Sequence, residues 1–229
     1  LLVYIHIYQM KDLGVFICIH ILKLERRIKK MAKLYFRYGA MGSGKTRDLM
    51  KTYYNYTERG MRAIIMKPAL DTKGGCKICS RDGSLLPIDY LVEKNDNLFK
   101  IIKKEIKDSK KPIHCILVDE AEFLEECQID ELTDIVDYLD IPVICHGLRA
   151  DFRTNLFPGS KRLFELADSI EELKTVCFCG KKATMNTRMV NGKYVFEGDQ
   201  VAIDGEGDVT YNSLCRSCYK KEREKANKK

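Results

Sequence analysis

Short apolar runs alternate with amphipathic stretches of helical period between Lys33 and Leu173. The apolar runs are nearly continuous, which is typical of strands buried on both faces of a sheet. Strands separated by helices indicate an α/β fold in which a parallel sheet is covered by helices on both sides. The glycine-rich residues 71–84 are predicted to be a loop. The pattern predicts strands at 34–38, 63–66, 113–118 and 141–145, and helices at 46–56, 95–107 and 128–139.

The residue composition and the hydrophobic pattern change outside this stretch. After Leu173, cysteines, glycines and alternating Val, Tyr and Phe positions predict a small β-rich unit. The two apolar runs near the start are only ten residues long, too short to span a bilayer. We interpret them as an upstream extension of the reading frame, with Met31 as a natural start and a membrane-anchoring helix as the alternative. The predicted divisions are an N-terminal extension (1–32), an α/β core (33–173), a β-rich unit (174–219) and a charged tail (220–229).

The net charge of +7 belongs to the two ends of the chain. Residues 1–30 and residues 220–229 each carry a net +4, which leaves −1 on the 189 residues between them. A central region without net positive charge is not expected to bind the phosphate backbone of a nucleic acid. The charge distribution therefore predicts no nucleic-acid partner. The shortness of the apolar runs predicts no membrane partner.

A phosphate-binding loop follows the first predicted strand. The run Gly39-Ala40-Met41-Gly42-Ser43-Gly44-Lys45-Thr46 has four residues between its first and second fixed glycines and ends in Lys-Thr. Glycines allow backbone N–H groups to surround phosphate oxygens at a helix N-terminus. Lys45 supplies a positive charge to the terminal phosphates, and the Thr46 hydroxyl is placed to ligate Mg²⁺. The chain is therefore predicted to bind a nucleoside triphosphate.

Carboxylates follow a second apolar strand, in the run Val118-Asp119-Glu120-Ala121-Glu122-Phe123. In P-loop proteins the acid at this strand end contacts Mg²⁺, often through water, and this role falls to Asp119. The adjacent Glu120 can accept a proton from an attacking hydroxyl or orient a water molecule. The acid pair alone does not distinguish a kinase from an ATPase.

Four of the ten cysteines form two close pairs, Cys177/Cys179 and Cys215/Cys218. Zinc ribbons place two such pairs on turns so that four thiolates meet around one ion. Because four thiolates leave no open coordination position, the predicted zinc is structural. Cys76 and Cys79 form a rival pair with no obvious second pair, and we expect free thiols there.

Taken in order, these motifs resemble type II thymidine kinase. The resemblance rests on the P-loop, the acidic strand end at 119–123, the segment 147–153 and the late cysteine cluster, and it covers roughly residues 33–220. The run from Leu173 to Gly180 is particularly similar to the enterobacterial branch. The resemblance implies a RecA-like P-loop core with a zinc-binding lasso domain. It further implies a cytoplasmic enzyme, commonly a homotetramer, that transfers the γ-phosphate of ATP to the 5′-hydroxyl of thymidine, and also of deoxyuridine.

The resemblance also implies roles for individual residues. Glu120 is the general base toward the 5′-hydroxyl, and a loop at Gln200–Asp204, anchored at both ends by zinc, closes over the nucleoside. The residues implied to bind ATP and Mg²⁺ are Gly39, Ala40, Met41, Gly42, Ser43, Gly44, Lys45, Thr46, Asp119, Glu120, Ala121 and Glu122. Those implied to bind the nucleoside are Met41, Phe123, Leu148, Phe152, Phe157, Gln200, Val201, Ala202, Ile203, Asp204 and Tyr211.

The chain departs from the family pattern at three places. Glu122 stands where the family usually has Gln, and Asp204-Gly205 replaces the paired glycines of the closing loop. That loop is about two residues longer before Cys215. Arg81-Asp82-Gly83 falls where the family places nucleotide-contacting residues, but the extra residues around Cys76 shift the register.

Two other functional classes fit parts of the sequence. A P-loop ATPase whose zinc ribbon grips nucleic acid requires a basic body, which the charge distribution opposes. A nucleotide-binding regulatory module without turnover has no use for Glu120 beside Asp119. The nucleoside kinase is therefore the leading hypothesis.

Overall fold

The computed structural model describes residues 31–69, 77–80, 83–200 and 208–228. The compact unit discussed below runs from Lys33 to Lys229. Among the described residues, no helix combines the length and the apolar character needed to cross a membrane. The predicted extension at 1–32 lies almost entirely outside the described residues. The division of the remaining chain at 173/174 stays a prediction.

A six-stranded parallel sheet forms the centre of the unit and confirms the predicted fold class. Its spatial order is β5-β2-β6-β7-β1-β8, and every neighbouring pair in it is parallel. Because all six strands run in one direction, their carboxyl ends meet at one edge, where ligands of open α/β sheets bind. The strands are β1 (Leu34–Gly39), β2 (Ala63–Pro68), β5 (Tyr90–Val92), β6 (Cys115–Val118), β7 (Val143–Leu148) and β8 (Ser169–Leu173).

The central strands are buried because helices cover both faces of the sheet. All residues of β2 and β6 are buried, including Lys67 near the end of β2. Core residues on one face pack against Leu49 and Met50 of the helix that follows β1. The helices are α1 (Lys45–Thr57), α2 (Leu98–Ser109), α3 (Glu126–Leu139), α4 (Pro158–Leu166) and α5 (Arg216–Asn227).

Local capping determines where several helices begin. The Asn97 side chain accepts a hydrogen bond from the backbone N–H of Lys100 at 2.8 Å, so α2 starts at Leu98 rather than at the predicted residue 95. A capping box between Glu125 and Gln128 starts α3 two residues before the predicted position.

The cysteine-bearing part of the chain is β-rich, as predicted. Its small core joins Cys177 and Cys215 to Ala183, Leu214 and Tyr219, and Phe196 packs edge-on against Tyr219. The strands there are β9 (Thr175–Val176), β10 (Lys182–Ala183), β11 (Met185–Val190), β12 (Lys193–Val195) and β13 (Val209–Leu214). Strand β11 lies between β12 and β13, and both pairings are antiparallel.

The structure also differs from the prediction in the glycine-rich stretch. The glycine-rich stretch at 71–84 is not wholly a loop, because β3 (Lys77–Cys79) pairs with β4 (Leu85–Pro87) in a short antiparallel hairpin. The predicted division at 219/220 stays a prediction. Helix α5 already begins at Arg216, so the basic tail continues the turn that carries Cys218.

Candidate active site

The P-loop connects the end of β1 to the start of α1, as the sequence predicts. Gly42 and Gly44 have φ angles of 75° and 81°, a left-handed conformation that glycine adopts without a steric penalty. A Cβ atom on Gly39 would lie 2.6 Å from the Leu173 carbonyl oxygen and closer still to the Ser43 hydroxyl, so only glycine fits there. Helix α1 therefore begins at Lys45 with its N-terminal N–H groups directed to the loop.

Lys45 and Thr46 are the P-loop side chains predicted to serve the phosphates and Mg²⁺, and these roles stay predictions. Lys45 Nζ lies 3.1 Å from the Ala40 carbonyl oxygen, which holds the ammonium group across the loop. Thr46 is half-buried in the first turn of α1. The buried Ser43 hydroxyl has no hydrogen-bond partner in the described part of the chain. A ligand with acceptor oxygens would satisfy that hydroxyl.

Asp119 lies at the end of β6, on the same edge of the sheet as the P-loop. It is 5% exposed, and its backbone N–H donates to the Met66 carbonyl oxygen at 3.0 Å. Burial and then the charge of Glu120 raise the pKa of Asp119 to about 6, while Lys67 and Lys45 act in the opposite direction. A divalent cation would offset the loss of solvation of the Asp119 carboxylate, so Asp119 fits the role of a magnesium ligand.

Glu120 has a strained backbone. Its φ of 52° and ψ of 40° place a non-glycine residue in the left-handed region, at a cost on the order of 1–2 kcal/mol. A 3₁₀ turn (Ala121–Phe123) follows immediately, and the Phe123 N–H donates to the Glu120 carbonyl at 3.1 Å. Such strain is concentrated at functional sites, where it directs a side chain that regular structure could not direct.

Lys67 faces Glu120, a contact that sequence reasoning missed. Lys67 Nζ lies 3.2 Å from a Glu120 carboxylate oxygen, and the two side chains are 7% and 33% exposed. A lysine buried near the carboxyl end of a central strand is the signal that could have identified it. The ammonium group holds the Glu120 carboxylate in place at the carboxyl edge of the sheet.

Glu122 is buried in the turn that follows Glu120. One carboxyl oxygen lies 2.8 Å from the position that a Cβ on Gly147 would occupy, and that oxygen has no hydrogen-bond partner among the described residues. Burial first, and the charge of Glu120 second, raise the pKa of Glu122 to about 8. Burial thus favours the protonated, uncharged carboxyl, which resembles an amide in charge.

The predicted nucleoside-binding aromatics lie beside this edge, but their rings are largely covered. Phe152 and Phe157 are 2% and 4% exposed. The Phe157 ring packs edge-on against half-buried Phe123, with centroids 5.3 Å apart. The Arg188 guanidinium lies over the Phe152 ring, 4.0 Å from its centroid. Contact of these rings with a nucleoside stays a prediction.

The predicted closing loop is described only at its two ends. The Gln200 side-chain amide donates to the Asp151 carboxylate at 3.3 Å, next to Phe152. Tyr211 lies on β13 directly across from Arg188 of β11. The predicted contacts at Val201, Ala202, Ile203 and Asp204 fall outside the described residues, as do Arg81 and Asp82.

Leu148 and Met41, the other residues predicted to bind the nucleoside, lie next to the P-loop or within it. Leu148 ends β7 and is the register partner of Gly39 in β1. The Met41 backbone N–H donates to the Asn186 side chain of β11 at 2.8 Å. Neither Asn186 nor Arg188 was expected from the sequence, although both are buried polar residues of one strand.

The four cysteines of the two predicted pairs converge. The sulfur atoms of Cys177, Cys179, Cys215 and Cys218 all lie within 4.8 Å of one another, and two of them are 3.6 Å apart. A tetrahedral site with Zn–S bonds of about 2.3 Å separates its sulfurs by about 3.8 Å, so the cluster fits zinc.

Hydrogen bonding within the cluster also favours a thiolate. The hydrogen bond from the Cys218 backbone N–H is the main reason that the pKa of Cys215 falls to about 6. Cys79 has a free, exposed thiol as predicted, and Cys76 lies outside the described residues.

Comparisons with known proteins agree with this arrangement. A family model described as "Thymidine kinase" matches residues 32–219. The thymidine kinase of Legionella pneumophila (strain Lens) is 47% identical over 193 residues, which cover 83% of this chain and 90% of that protein. The thymidine kinases of Rhodopirellula baltica and Salmonella paratyphi A are 44% and 46% identical, each over 192 residues. These matches cover 83% of this chain and 89% and 91% of those proteins.

A solved structure of the Pif1 helicase from Candida albicans aligns with 66% of this chain and 38% of that chain. Its TM-score is 0.34 and its sequence identity 16%, too low to bear on function.

The P-loop, the acidic strand end and the four-cysteine cluster all lie within the stretch that matches the family model. The chain therefore belongs to the thymidine kinase family.

Proposed function

We propose that this chain phosphorylates thymidine, and also deoxyuridine, at the 5′-hydroxyl, with ATP as the phosphate donor and Glu120 as the general base. The observation that carries the proposal is the Glu120 carboxylate. It is partly exposed at the carboxyl edge of the sheet, held by a strained backbone and paired with a buried lysine. An ATPase would need only to orient water, whereas a kinase needs a fixed base for a hydroxyl acceptor.

The proposed reaction takes place between ATP bound at the P-loop, the donor half of the site, and the nucleoside bound in the acceptor half. Glu120 removes the proton from the 5′-hydroxyl as that oxygen forms a bond to the γ-phosphorus of ATP. The bond between the γ-phosphorus and the β,γ-bridging oxygen breaks, ADP departs, and the proton remains on the Glu120 carboxyl. Lys45 and the P-loop N–H groups hold the phosphates in line for this displacement.

Magnesium suits the oxygen donors at this edge of the sheet. Thr46 and Asp119 offer a hydroxyl and a carboxylate, which are ligands that Mg²⁺ prefers. When bound, the ion neutralises charge on the β- and γ-phosphate oxygens. The raised pKa of Asp119 supports this assignment, because a nearby cation would favour the charged carboxylate that burial disfavours.

The acceptor half is proposed to be formed by Met41, Leu148, Phe152, Phe157 and the loop 200–204, with Phe123 and Tyr211 beside them. The contact between Gln200 and Asp151 supports a loop that folds back on this pocket. Closure over the nucleoside would exclude water, which competes with the nucleoside as phosphate acceptor. A structural zinc on the four cysteines would anchor both ends of that loop.

The working form of the enzyme is also part of the proposal. We propose a homotetramer, which the family commonly forms. We also propose a cytoplasmic location, because a reducing compartment keeps clustered thiols available as metal ligands.

The direct test is formation of dTMP from thymidine and Mg-ATP by the purified chain. Nucleic-acid-stimulated ATP hydrolysis without nucleoside phosphorylation would overturn the kinase proposal. Glu120→Gln should retain ATP binding and lose about 10²- to 10⁴-fold in kcat, because only the proton acceptor is removed. Exposed Glu224 provides the matched control, and Glu224→Gln should leave kcat unchanged. Near-normal turnover by Glu120→Gln would reject Glu120 as the base.

A further inference from the structure

Strand β11 of the cysteine-bearing unit presents two buried polar side chains toward the α/β core. Asn186 and Arg188 are 7% and 3% exposed. They are two positions apart on one strand, so both point to the same face of the small sheet. The residue between them, Thr187, donates instead to the Asn212 carbonyl of the neighbouring strand.

Asn186 joins the P-loop to the segment that leads into the predicted nucleoside pocket. Its side-chain oxygen accepts a hydrogen bond from the Met41 backbone N–H at 2.8 Å. Its side-chain nitrogen donates to the Ala150 backbone carbonyl at 2.6 Å. The Met41 N–H is part of the P-loop on the ATP side, although the Met41 side chain is assigned to the nucleoside pocket. Ala150 precedes Phe152 by two residues. One buried amide therefore connects backbone groups from both halves of the site.

Arg188 extends the same connection to the closing loop. Its guanidinium lies over the Phe152 ring and donates to the carbonyls of Asp199 at 3.0 Å and Glu197 at 3.2 Å. Gly198 lies between these two carbonyls with a φ of 111°, and a Cβ there would lie 2.6 Å from the guanidinium. The chain entering the closing loop is thus held against the wall of the proposed pocket.

We propose that Asn186 is a positioning residue that couples binding of ATP to binding of the nucleoside, and that Arg188 extends this coupling from the Phe152 ring to the chain at Glu197 and Asp199. The proposal rests on the proposed function. Ordering of the P-loop around phosphate fixes the Met41 N–H, which fixes the Asn186 amide and then the Ala150–Phe152 segment. The second substrate then meets a pocket that is already ordered, so the two affinities reinforce each other.

The measurement is the dissociation constant of thymidine with and without Mg²⁺ and the non-hydrolysable ATP analogue adenylyl imidodiphosphate. In the natural chain the analogue should tighten thymidine binding about tenfold, within the usual range of coupling between sites. The reciprocal experiment should give the same factor. In Asn186→Ala this factor should fall to about one, because both hydrogen bonds are lost.

A ratio of affinities separates coupling from loss of structure. Asn186→Asp keeps an acceptor for the Met41 N–H but cannot donate to Ala150. Its added charge weakens nucleotide binding by itself, but the ratio removes that effect, and the ratio should again be near one. Asn212→Ala is the matched control: its side-chain amide contacts Met189 within the same small sheet, so the ratio should be unchanged. Zinc content and melting temperature identify misfolded variants.

The outcomes distinguish this inference from the proposed function. If the natural chain forms dTMP but shows no coupling, or if both Asn186 variants keep the natural ratio, the inference is overturned and the kinase proposal stands. Arg188→Met should weaken thymidine binding while ATP-analogue binding in the absence of thymidine stays within about twofold. An equal loss of affinity for thymidine and for the ATP analogue would overturn the role assigned to Arg188. A natural chain that forms no dTMP would overturn both proposals.

Discussion

Replacing Glu122 by glutamine should stabilise the protein increasingly as the pH rises. The carboxyl is 2% exposed, and one of its oxygens has no hydrogen-bond partner in the described chain. Burial raises its pKa in the folded protein from 4.5 to about 8, with a smaller contribution from the Glu120 charge. Between these two values the unfolded chain releases a proton that the folded protein retains. The folded state therefore loses stability as the pH rises through this window.

The magnitude follows from the shift in pKa. One pKa unit corresponds to about 1.4 kcal/mol, so the full shift corresponds to at most about 5 kcal/mol at pH 8 and above. At pH 5 most of this penalty is absent, because the penalty grows with each pH unit above the unfolded pKa of 4.5 and pH 5 lies only just above that value. Glutamine is nearly isosteric and carries no charge at any pH, so Glu122→Gln removes the penalty. At about 2–4 °C per kcal/mol, the melting temperature should rise by about 10–20 °C at pH 8.

Thermal unfolding followed by circular dichroism at pH 5 and pH 8 measures this difference. The gap between the two melting temperatures should shrink in Glu122→Gln relative to the natural chain. Exposed Glu224 is the control, since Glu224→Gln should leave the gap unchanged. A Glu122→Gln protein with the same gap as the natural chain would show that the buried carboxyl is ionised at neutral pH. The burial argument would then be refuted.

Three further substitutions test the site. Lys67→Met removes the cation beside Glu120 and should lower kcat about a hundredfold. Lys67→Arg keeps the charge and should retain part of the natural kcat. Equal kcat in the two variants would contradict a role for the charge. Gly39→Ala places a methyl group 2.6 Å from the Leu173 carbonyl, so ATP affinity by titration calorimetry should fall, and unchanged affinity would reject the P-loop geometry. Cys218→Ser should reduce metal content from about one zinc per chain and raise the thymidine KM more than the ATP KM. Retained zinc after this change would exclude Cys218 as a ligand.

Much of the fold can be predicted because its signals are local. A continuous apolar run must be buried on both faces, and the strand containing Cys115–Val118 shows this without reference to the rest of the chain. The P-loop is equally local, since its glycines need left-handed angles within one turn. The two cysteine pairs can be recognised from their spacing, and the chemistry of four thiolates predicts that they meet.

The sequence by itself determined the parallel α/β core, the phosphate-binding loop, the position of the acid pair and the zinc-ligand candidates. Only the tertiary structure decided the strand order, the pairing of Lys67 with Glu120 and the Asn186 contacts. Met41 and Asn186 are 145 residues apart, and no periodicity relates them. Their contact depends on how the small sheet packs against the core. Packing of this kind is a collective result of burying many side chains at once, so no short pattern in the sequence records it.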